Sequence, residues 1–185
     1  GRLTTSGGLV LNAALTNTNF IIQTIGTPGQ TISGTGSLAR LDISTNTTNN
    51  GTLTVTTALN SSTLSTLTQG NGATLTYNGT TAIVPVIDAS TATNTVIYGG
   101  VAQTVRSATY HHLTINGSST KTLGGAITVN GNLAVHAGSL STSTYQITGN
   151  VTGTFTMAAA TNLYVGANAS ATNVLFPTHF TTGHI

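Results

Sequence analysis

Short runs that alternate apolar and polar residues recur about every ten residues along most of this chain. Examples are Leu53-Thr54-Val55, Leu75-Thr76-Tyr77 and Leu133-Ala134-Val135. In a β-strand the outer two residues of such a run point to one face and the middle residue to the other. Turn pairs such as Asn50-Gly51 and Asn130-Gly131 separate the runs. The pattern predicts an all-β fold made of many short strands.

Two all-β architectures suit this spacing: a β-sandwich or barrel, and a parallel β-solenoid whose coils each contribute two or three strands. The chain has 42 Thr, 15 Ser and 17 Asn but only four Lys and Arg and two Asp and Glu. Neutral side chains can stack in register from coil to coil, whereas like charges would repel in every layer. Composition therefore favours a parallel β-solenoid of about eight coils, spanning about 40 Å. The β-sandwich stays the alternative.

Four groups of residues recur in the same order, about 73 residues apart. The first set is Gln30-Thr31-Ile32, Leu41-Asp42-Ile43, Gly51-Thr52-Leu53-Thr54-Val55 and Leu67; the second is Gln103-Thr104-Val105, Leu113-Thr114-Ile115, Gly125-Ala126-Ile127-Thr128-Val129 and Leu140. We predict a single solenoid segment with two degenerate repeats, about 25–97 and 98–170. An apolar N-terminal segment, 1–24, precedes them.

The charged residues are too few and too scattered for several functions. They are Arg2, Arg40, Asp42, Asp88, Arg106 and Lys121, and we expect each to be an isolated surface residue. Nucleic-acid binding requires clustered Lys and Arg, so no nucleic-acid partner is expected. The apolar runs are only a few residues long, far short of the roughly 20 that a membrane-spanning helix needs.

The two carboxylates argue against an enzyme. Glycoside hydrolysis in a solenoid normally requires a pair of carboxylates, and nothing in the sequence brings Asp42 and Asp88 together. We expect Asp42 to pair with Arg40 on one strand face, and Asp88 to cap a turn after Ile87. The chain also lacks a recognisable nucleophile or phosphate-binding motif. It is therefore predicted to be non-enzymatic and to need no cofactor.

The five histidines do not form a predicted metal site. His111 and His112 are adjacent on a predicted strand and are expected to point to opposite faces. His136, His179 and His184 are scattered, and no pair has the spacing of a strand or helix ligand pair.

The stretch 98–149 carries a resemblance to a known class of protein. It contains Tyr98-Gly99-Gly100, Gln103-Thr104-Val105, Tyr110-His111-His112-Leu113-Thr114-Ile115-Asn116-Gly117, Lys121-Thr122-Leu123 and Ile127-Thr128-Val129-Asn130-Gly131-Asn132-Leu133. This pattern resembles the repeats of large bacterial cell-surface proteins of the β-helical adhesin type: Bacteroidetes-like secreted repeat proteins and, more distantly, filamentous haemagglutinin and autotransporter passengers. The resemblance implies an extracellular β-solenoid stalk or adhesive fibre, and it identifies no catalytic residue and no ligand.

Both ends of the chain are apolar, which predicts self-association by strand addition or end-to-end stacking. The partners would be other copies or adjacent repeats of a longer chain. The candidate residues are Leu9, Val10, Leu11, Phe20, Ile21, Ile22, Phe176 and Phe180.

A glycan- or ice-binding module is the alternative function. The aromatic residues that could stack on a surface glycan are Tyr77, Tyr98, Tyr110, Tyr145 and Tyr164. Thr-x-Thr units, as on ice-binding β-helices, occur at Thr52–Thr54, Thr54–Thr56, Thr74–Thr76 and Thr154–Thr156. Their spacing along the sequence is irregular, so strand propensity and hydroxyl ladders are the preferred explanation.

Overall fold

The computed structural model describes residues 1–15, 20–166 and 174–182, and every helix or strand within these ranges is a β-strand. The strands, in chain order, are β1 (Arg2–Thr5), β2 (Leu9–Leu11), β3 (Ala14–Leu15), β4 (Ile21–Thr24), β5 (Gln30–Ile43), β6 (Thr47–Asn49), β7 (Thr52–Asn60), β8 (Thr66–Gln69), β9 (Thr74–Tyr77), β10 (Val86–Asp88), β11 (Thr95–Tyr98), β12 (Gln103–Val105), β13 (Thr109–Tyr110), β14 (His112–Ile115), β15 (Thr120–Leu123), β16 (Ile127–Val129), β17 (Leu133–Val135), β18 (Ser139–Ser141), β19 (Ile147–Thr148), β20 (Thr154–Met157), β21 (Asn162–Tyr164) and β22 (Thr181–Thr182).

The strands stack in parallel, each on the strand one turn earlier, in about eight turns with three faces. Face 1 contains β3, β9, β11, β14, β17, β20 and β22; face 2 contains β1, β4, β12, β15, β18 and β21; face 3 contains β2, β6, β8, β10, β13, β16 and β19. The long strand β5 continues through all three faces and β7 through two. The predicted parallel β-solenoid is confirmed. The β-sandwich alternative is wrong, because the strand pairs of a sandwich are mainly antiparallel.

Turn length varies while strand register is kept. Paired residues on face 1 are 17 positions apart between Thr95 and His112. They are 22 positions apart between Thr52 and Thr74, and 27 apart between Thr154 and Thr181. Where the corners are described they differ in length, with five residues, 61–65, between β7 and β8 but three, 106–108, between β12 and β13, and strand pairing is not disturbed.

The core is a set of apolar columns that run along the stack. On face 1 the inward residues of successive turns are Leu38, Val55, Tyr77, Tyr98, Ile115 and Val135, each no more than 1% exposed. Burial of each such side chain stabilises the fold by about 1.5–3 kcal/mol. The alternation of the sequence therefore determines which side of each strand faces inward.

Residues related by the 73-residue offset lie on different faces. Gln30 pairs with Thr47 on face 3, whereas Gln103 pairs with Lys121 on face 2. Leu41 lies on face 2 and its counterpart Leu113 on face 1. The similarity is therefore between strands and does not span a whole number of turns. The division into repeats at 97/98 stays a prediction. The last residues of the second repeat, 167–170, lie outside the described ranges.

Candidate functional site

The outward side of face 1 carries two neighbouring columns rich in threonine. In β7 and β9, Leu53 and Leu75 point inward, so the threonines that flank them point out. Thr52 pairs with Thr74 and Thr54 with Thr76. The first column holds Thr35, Thr52, Thr74, Thr95, His112, Asn132, Thr154 and Thr181; the second holds Ser37, Thr54, Thr76, Ile97, Thr114, Ala134 and Thr156. We call these two columns the face 1 array.

The face 1 array corrects the expectation that the Thr-x-Thr units are irregularly placed. Thr154–Thr156 is 80 positions after Thr74–Thr76 in the sequence, yet both units occupy the same two columns. Thr54–Thr56 is the exception. Thr54 belongs to the array, but Thr56 lies where the register between β5 and β7 shifts, after Val55. The sequence suggested irregularity because the number of residues per turn varies, from 17 between Thr95 and His112 to 22 between Thr52 and Thr74, while the register of face 1 is kept.

A shallow groove of about 350 Å³ lies along the C-terminal half of the face 1 array, between the levels of Thr95 and Thr154. His112, Asn132 and His136 are among the residues that line it. The backbone N–H of Asn132 donates a hydrogen bond of 3.0 Å to His112 Nδ1. Burial, and secondarily the neighbouring His111, lowers the pKa of His112. A neutral His112 is consistent with an Nδ1 that accepts this hydrogen bond.

A third column of threonine runs along the outward side of face 3. Its members are Thr31, Thr48, Thr68, Asp88, Thr109, Thr128, Thr148 and Thr178. The neighbouring outward positions on this face are mixed; one column, for example, pairs Thr66 with Val86. Face 3 therefore offers a single line of hydroxyl groups, whereas face 1 offers a two-dimensional array.

Three of the five tyrosines considered for glycan stacking are inside the solenoid. Tyr77, Tyr98 and Tyr110 are at most 1% exposed, so a stacking role for them is wrong. Burial is the main cause that raises the pKa of each hydroxyl. Tyr145 and Tyr164 are exposed and lie on different turns near the C-terminal end.

The two carboxylates are on different faces and do not meet. Asp42 is on the face 2 part of β5, and Asp88 ends β10 on face 3. Asp88 Oδ1 accepts hydrogen bonds from the N–H and hydroxyl of Ser90, at 3.2 and 2.8 Å, which confirms the predicted turn cap. Asp42 Oδ1 accepts a long hydrogen bond from Ser44 Oγ, and the expected pairing with Arg40 is not formed between these two described residues.

The histidines differ in one respect from expectation. The rings of His111 and His112 contact each other edge to face, with centroids 4.3 Å apart, so they do not point to opposite faces. His111 precedes β14 and lies at the corner, which explains the difference. No group of three or more His, Cys, Asp or Glu side chains comes together among the described residues, and His184 lies outside them.

Lys121 is not a surface residue, contrary to the expectation from its sequence. Its side chain is fully buried, and its Nζ donates to the carbonyl oxygens of Gly100 and Ser118 at 2.7 and 2.6 Å. Desolvation by burial lowers its pKa. One turn earlier Gln103 occupies the same column, and its Nε2 donates to the carbonyls of Tyr77 and Gly79. Both residues thus supply donors to corner carbonyls.

The solenoid interior also contains side-chain amides, which were not expected from the sequence. Asn49 and Gln69 are fully buried neighbours in one column, and Asn49 Nδ2 donates to Gln69 Oε1 at 2.8 Å. Asn94 is also buried and donates to the carbonyl of Gln69. Their positions in the sequence could have predicted this burial. Asn49 and Gln69 occupy the inward phase of their strands, Thr47-Thr48-Asn49 and Leu67-Thr68-Gln69.

The N-terminal end leaves interior columns uncovered. Leu3 and Leu15 are 49% and 45% exposed, whereas Ile22 and Leu38, their partners in the next turn, are each 1% exposed. Val10 also is exposed, on the outward side of β2. Of the predicted self-association residues, Leu9, Phe20 and Ile21 are half-buried, whereas Leu11 and Ile22 are buried and offer no surface.

Aromatic residues cover part of the C-terminal end. Phe176 and Phe180 pack against the buried Phe155, with ring centroids 5.8 and 6.1 Å away. Phe180 is half-buried, while Phe176 remains 52% exposed. These two predicted self-association residues therefore contact the core of their own chain.

The fold and surfaces define a three-sided parallel β-solenoid with outward columns of threonine. Comparison with models of known protein families, with curated proteins and with solved structures found no match. Among the described residues, no helix is long and apolar enough to cross a membrane.

Proposed function

We propose that this chain is a non-enzymatic structural segment of an extracellular fibre or cell-surface adhesin. It extends by end-on addition of further coils, which come from other copies or from adjacent repeats of a longer chain. The observation that carries the proposal is the uncovered first turn, with Leu3 and Leu15 exposed above buried columns. Among the described strands, β1, β2 and β3 each pair on one edge only, and the other edge is open to strand addition.

The near-absence of charge supports the same proposal. Two stacked solenoid ends bring like side chains into register, and neutral residues do so without repulsion. The cations of the described chain are dispersed: Arg2 is exposed, Arg40 and Arg106 are half-buried and Lys121 is buried. This arrangement gives no basic stripe for nucleic acid. The resemblance of 98–149 to β-helical adhesin repeats supports an extracellular location.

The test is assembly of the purified chain. We expect concentration-dependent association in light scattering and fibres in electron micrographs. Leu15→Lys, which puts a charge on the open edge, should keep the protein monomeric, because a desolvated lysine opposes strand addition. Leu64→Lys is the matched control: Leu64 is 70% exposed but lies in mid-stack, away from both ends, and association should be unchanged.

The outcome that overturns self-association is a monodisperse monomer at high concentration without fibres. Equal loss of assembly in Leu15→Lys and Leu64→Lys would also count against the open end as the contact. Circular dichroism of both variants verifies that each retains the β-fold, so that loss of assembly is not loss of structure.

The face 1 array favours ice binding as a second candidate function. Hydroxyl and methyl groups repeat about every 6.6 Å along each strand, two residues apart, and about 4.8 Å between turns. Thr52, Thr54, Thr74 and Thr76 form the complete part of this array. An uncharged, rigid two-dimensional array suits an uncharged crystalline partner. The interruptions at Ile97 and Ala134 restrict the candidate surface to the N-terminal half of the face.

A further inference from the structure

The backbone of Arg106 is fixed by two buried tyrosines. The Arg106 N–H donates to Tyr98 Oη at 2.9 Å, and Tyr110 Oη donates to the Arg106 carbonyl at 2.5 Å. The two hydroxyl oxygens are 3.2 Å apart. Both rings are completely buried. Two side chains from different faces of the same turn thus hold a single residue at the corner that follows β12, and this rigidity positions a charged side chain in advance of any ligand.

The side chain of Arg106 lines a concavity of about 240 Å³ at the corner between faces 2 and 3. Its Nη1 donates to the Ile83 carbonyl at 2.9 Å, and its other N–H groups meet no protein acceptor in the described part of the chain. The remaining lining residues are small or hydroxylated: Ala82, Thr104, Ser107 and Gly124. A Cβ at Gly124 would lie 2.7 Å from Thr104 Cγ2, so glycine keeps the concavity open.

The charge of this site indicates what it can bind. Arg106 forms no ion pair with a described residue, since Asp88 is capped by Ser90 and Asp42 is on the face 2 part of β5. A guanidinium presents paired donors that match the two oxygens of a carboxylate or sulfate group. One cation balances one negative charge, which favours a monoanionic group over a phosphate monoester. The volume and the hydroxyls of Thr104 and Ser107 suit a single sugar ring.

We propose that the Arg106 concavity is a binding site for a monoanionic sugar, carrying either a carboxylate or a sulfate ester. The Arg106 guanidinium contacts the anionic group, and the Thr104 hydroxyl contacts the ring. Ser107 Oγ, which donates to the Ala126 carbonyl at 2.6 Å, accepts from a sugar hydroxyl. This site lies on the side of the solenoid. It goes beyond the proposed structural function and does not depend on whether the ends associate.

The test is an NMR titration that follows the backbone amide resonances of Ser107 and Gly124, which line the concavity and are present in every variant. The probes are glucuronate, glucose 6-sulfate and uncharged glucose. We expect saturable shifts with at least one anionic sugar, with an affinity in the millimolar range, and none with glucose. The two anionic arms distinguish a carboxylate from a sulfate ester as the preferred group. Arg106→Gln should abolish binding, and Arg106→Lys should weaken it at least tenfold, because lysine lacks the paired donors.

Two further variants keep the test decisive if Arg106→Gln does not fold. Ala82→Leu fills the concavity without changing charge and should abolish binding. Arg2→Gln removes an exposed arginine far from the site and should leave binding unchanged. The proposal is overturned if the anionic sugars cause no saturable shift at Ser107 or Gly124, if Ala82→Leu binds normally, or if Arg106→Lys binds as tightly as the native protein.

Discussion

Lys121 and Gln103 show how a solenoid interior accommodates polar groups. They occupy one inward column on face 2, and each donates two hydrogen bonds to carbonyls at the corner between faces 1 and 2. A buried carbonyl without a donor would cost about 1–3 kcal/mol. A long side chain with a polar tip is therefore as suitable here as an apolar residue, whether or not it is charged.

Replacement of Lys121 by Met should reduce the free energy of unfolding by about 1–3 kcal/mol at pH 7, because two corner carbonyls lose their donor. The difference from the native protein should widen with rising pH. Burial lowers the pKa of folded Lys121 below its usual value near 10.5. Between the two pKa values the unfolded chain binds more protons, so rising pH stabilises the native protein relative to the variant. Urea unfolding at pH 7 and pH 10 measures both effects.

The buried tyrosines also make the stability depend on pH, in the direction opposite to Lys121. Their raised pKa values mean that the unfolded state loses protons above pH 10 before the folded state does, which destabilises the fold. Both proteins share this loss, so it cancels in the difference between them. A difference that stays constant from pH 7 to pH 10 would contradict a lowered pKa for Lys121.

At the scale of the strand, the alternation of apolar and polar residues was sufficient to predict much of the fold. In Leu53-Thr54-Val55 it identifies Thr54 as outward and its neighbours as inward, as observed. It does not show which strands stack, because pairing depends on how many residues each corner contains, and corners have no common sequence. It puts Tyr98 and Lys121 in the inward phase of their strands. It does not show the hydrogen bonds that they make there, since their partners are corner groups that only the closed turn brings near.

The face 1 array gives a prediction at this same scale. If it binds ice, the purified protein should produce thermal hysteresis, a gap between the melting and growth temperatures of an ice crystal. Thr76→Lys in β9 should reduce the hysteresis to that of the solvent, because a charged, flexible side chain breaks the array. Thr68→Lys in β8 is the matched control on face 3, and it should retain the native hysteresis.

Absence of hysteresis in the native protein would exclude ice binding as the second candidate function. Equal loss in Thr76→Lys and Thr68→Lys would show that charge anywhere on the solenoid is responsible, and not the face 1 array. Both threonines are half-buried and occupy outward positions of four-residue strands, so the two substitutions are comparable in their effect on folding.

The whole molecule is a linear stack in which each turn contacts mainly its neighbours. The stability of such a structure varies along its axis. The described strands of the first turn, β1–β3, pair on one side only, and the interior residues Leu3 and Leu15 remain about half exposed. In contrast, Leu75, Val96 and Leu113 in mid-stack are fully buried. Open ends should therefore fray before the middle unfolds.

Hydrogen exchange in dilute solution should show this gradient. Amides in the first-turn strands β1–β3 should exchange at least tenfold faster than those in β9, β11 and β14, corresponding to about 1.4 kcal/mol or more in opening free energy. Higher protein concentration should slow exchange at β1–β3 specifically if copies add at this end. Uniform protection along the stack at all concentrations would contradict the prediction.

The corners of variable length have a consequence for how such a chain can evolve and be engineered. Face 1 keeps its register although paired residues are 17 positions apart at one level and 27 at another. Insertions and deletions at a corner are therefore nearly neutral for the fold, whereas a single-residue shift within a strand would turn its apolar side chains outward. The corner between β7 and β8 already accommodates five residues, 61–65, of which Leu64 is 70% exposed. It is a natural position at which a new peptide could be displayed without redesign of the stack.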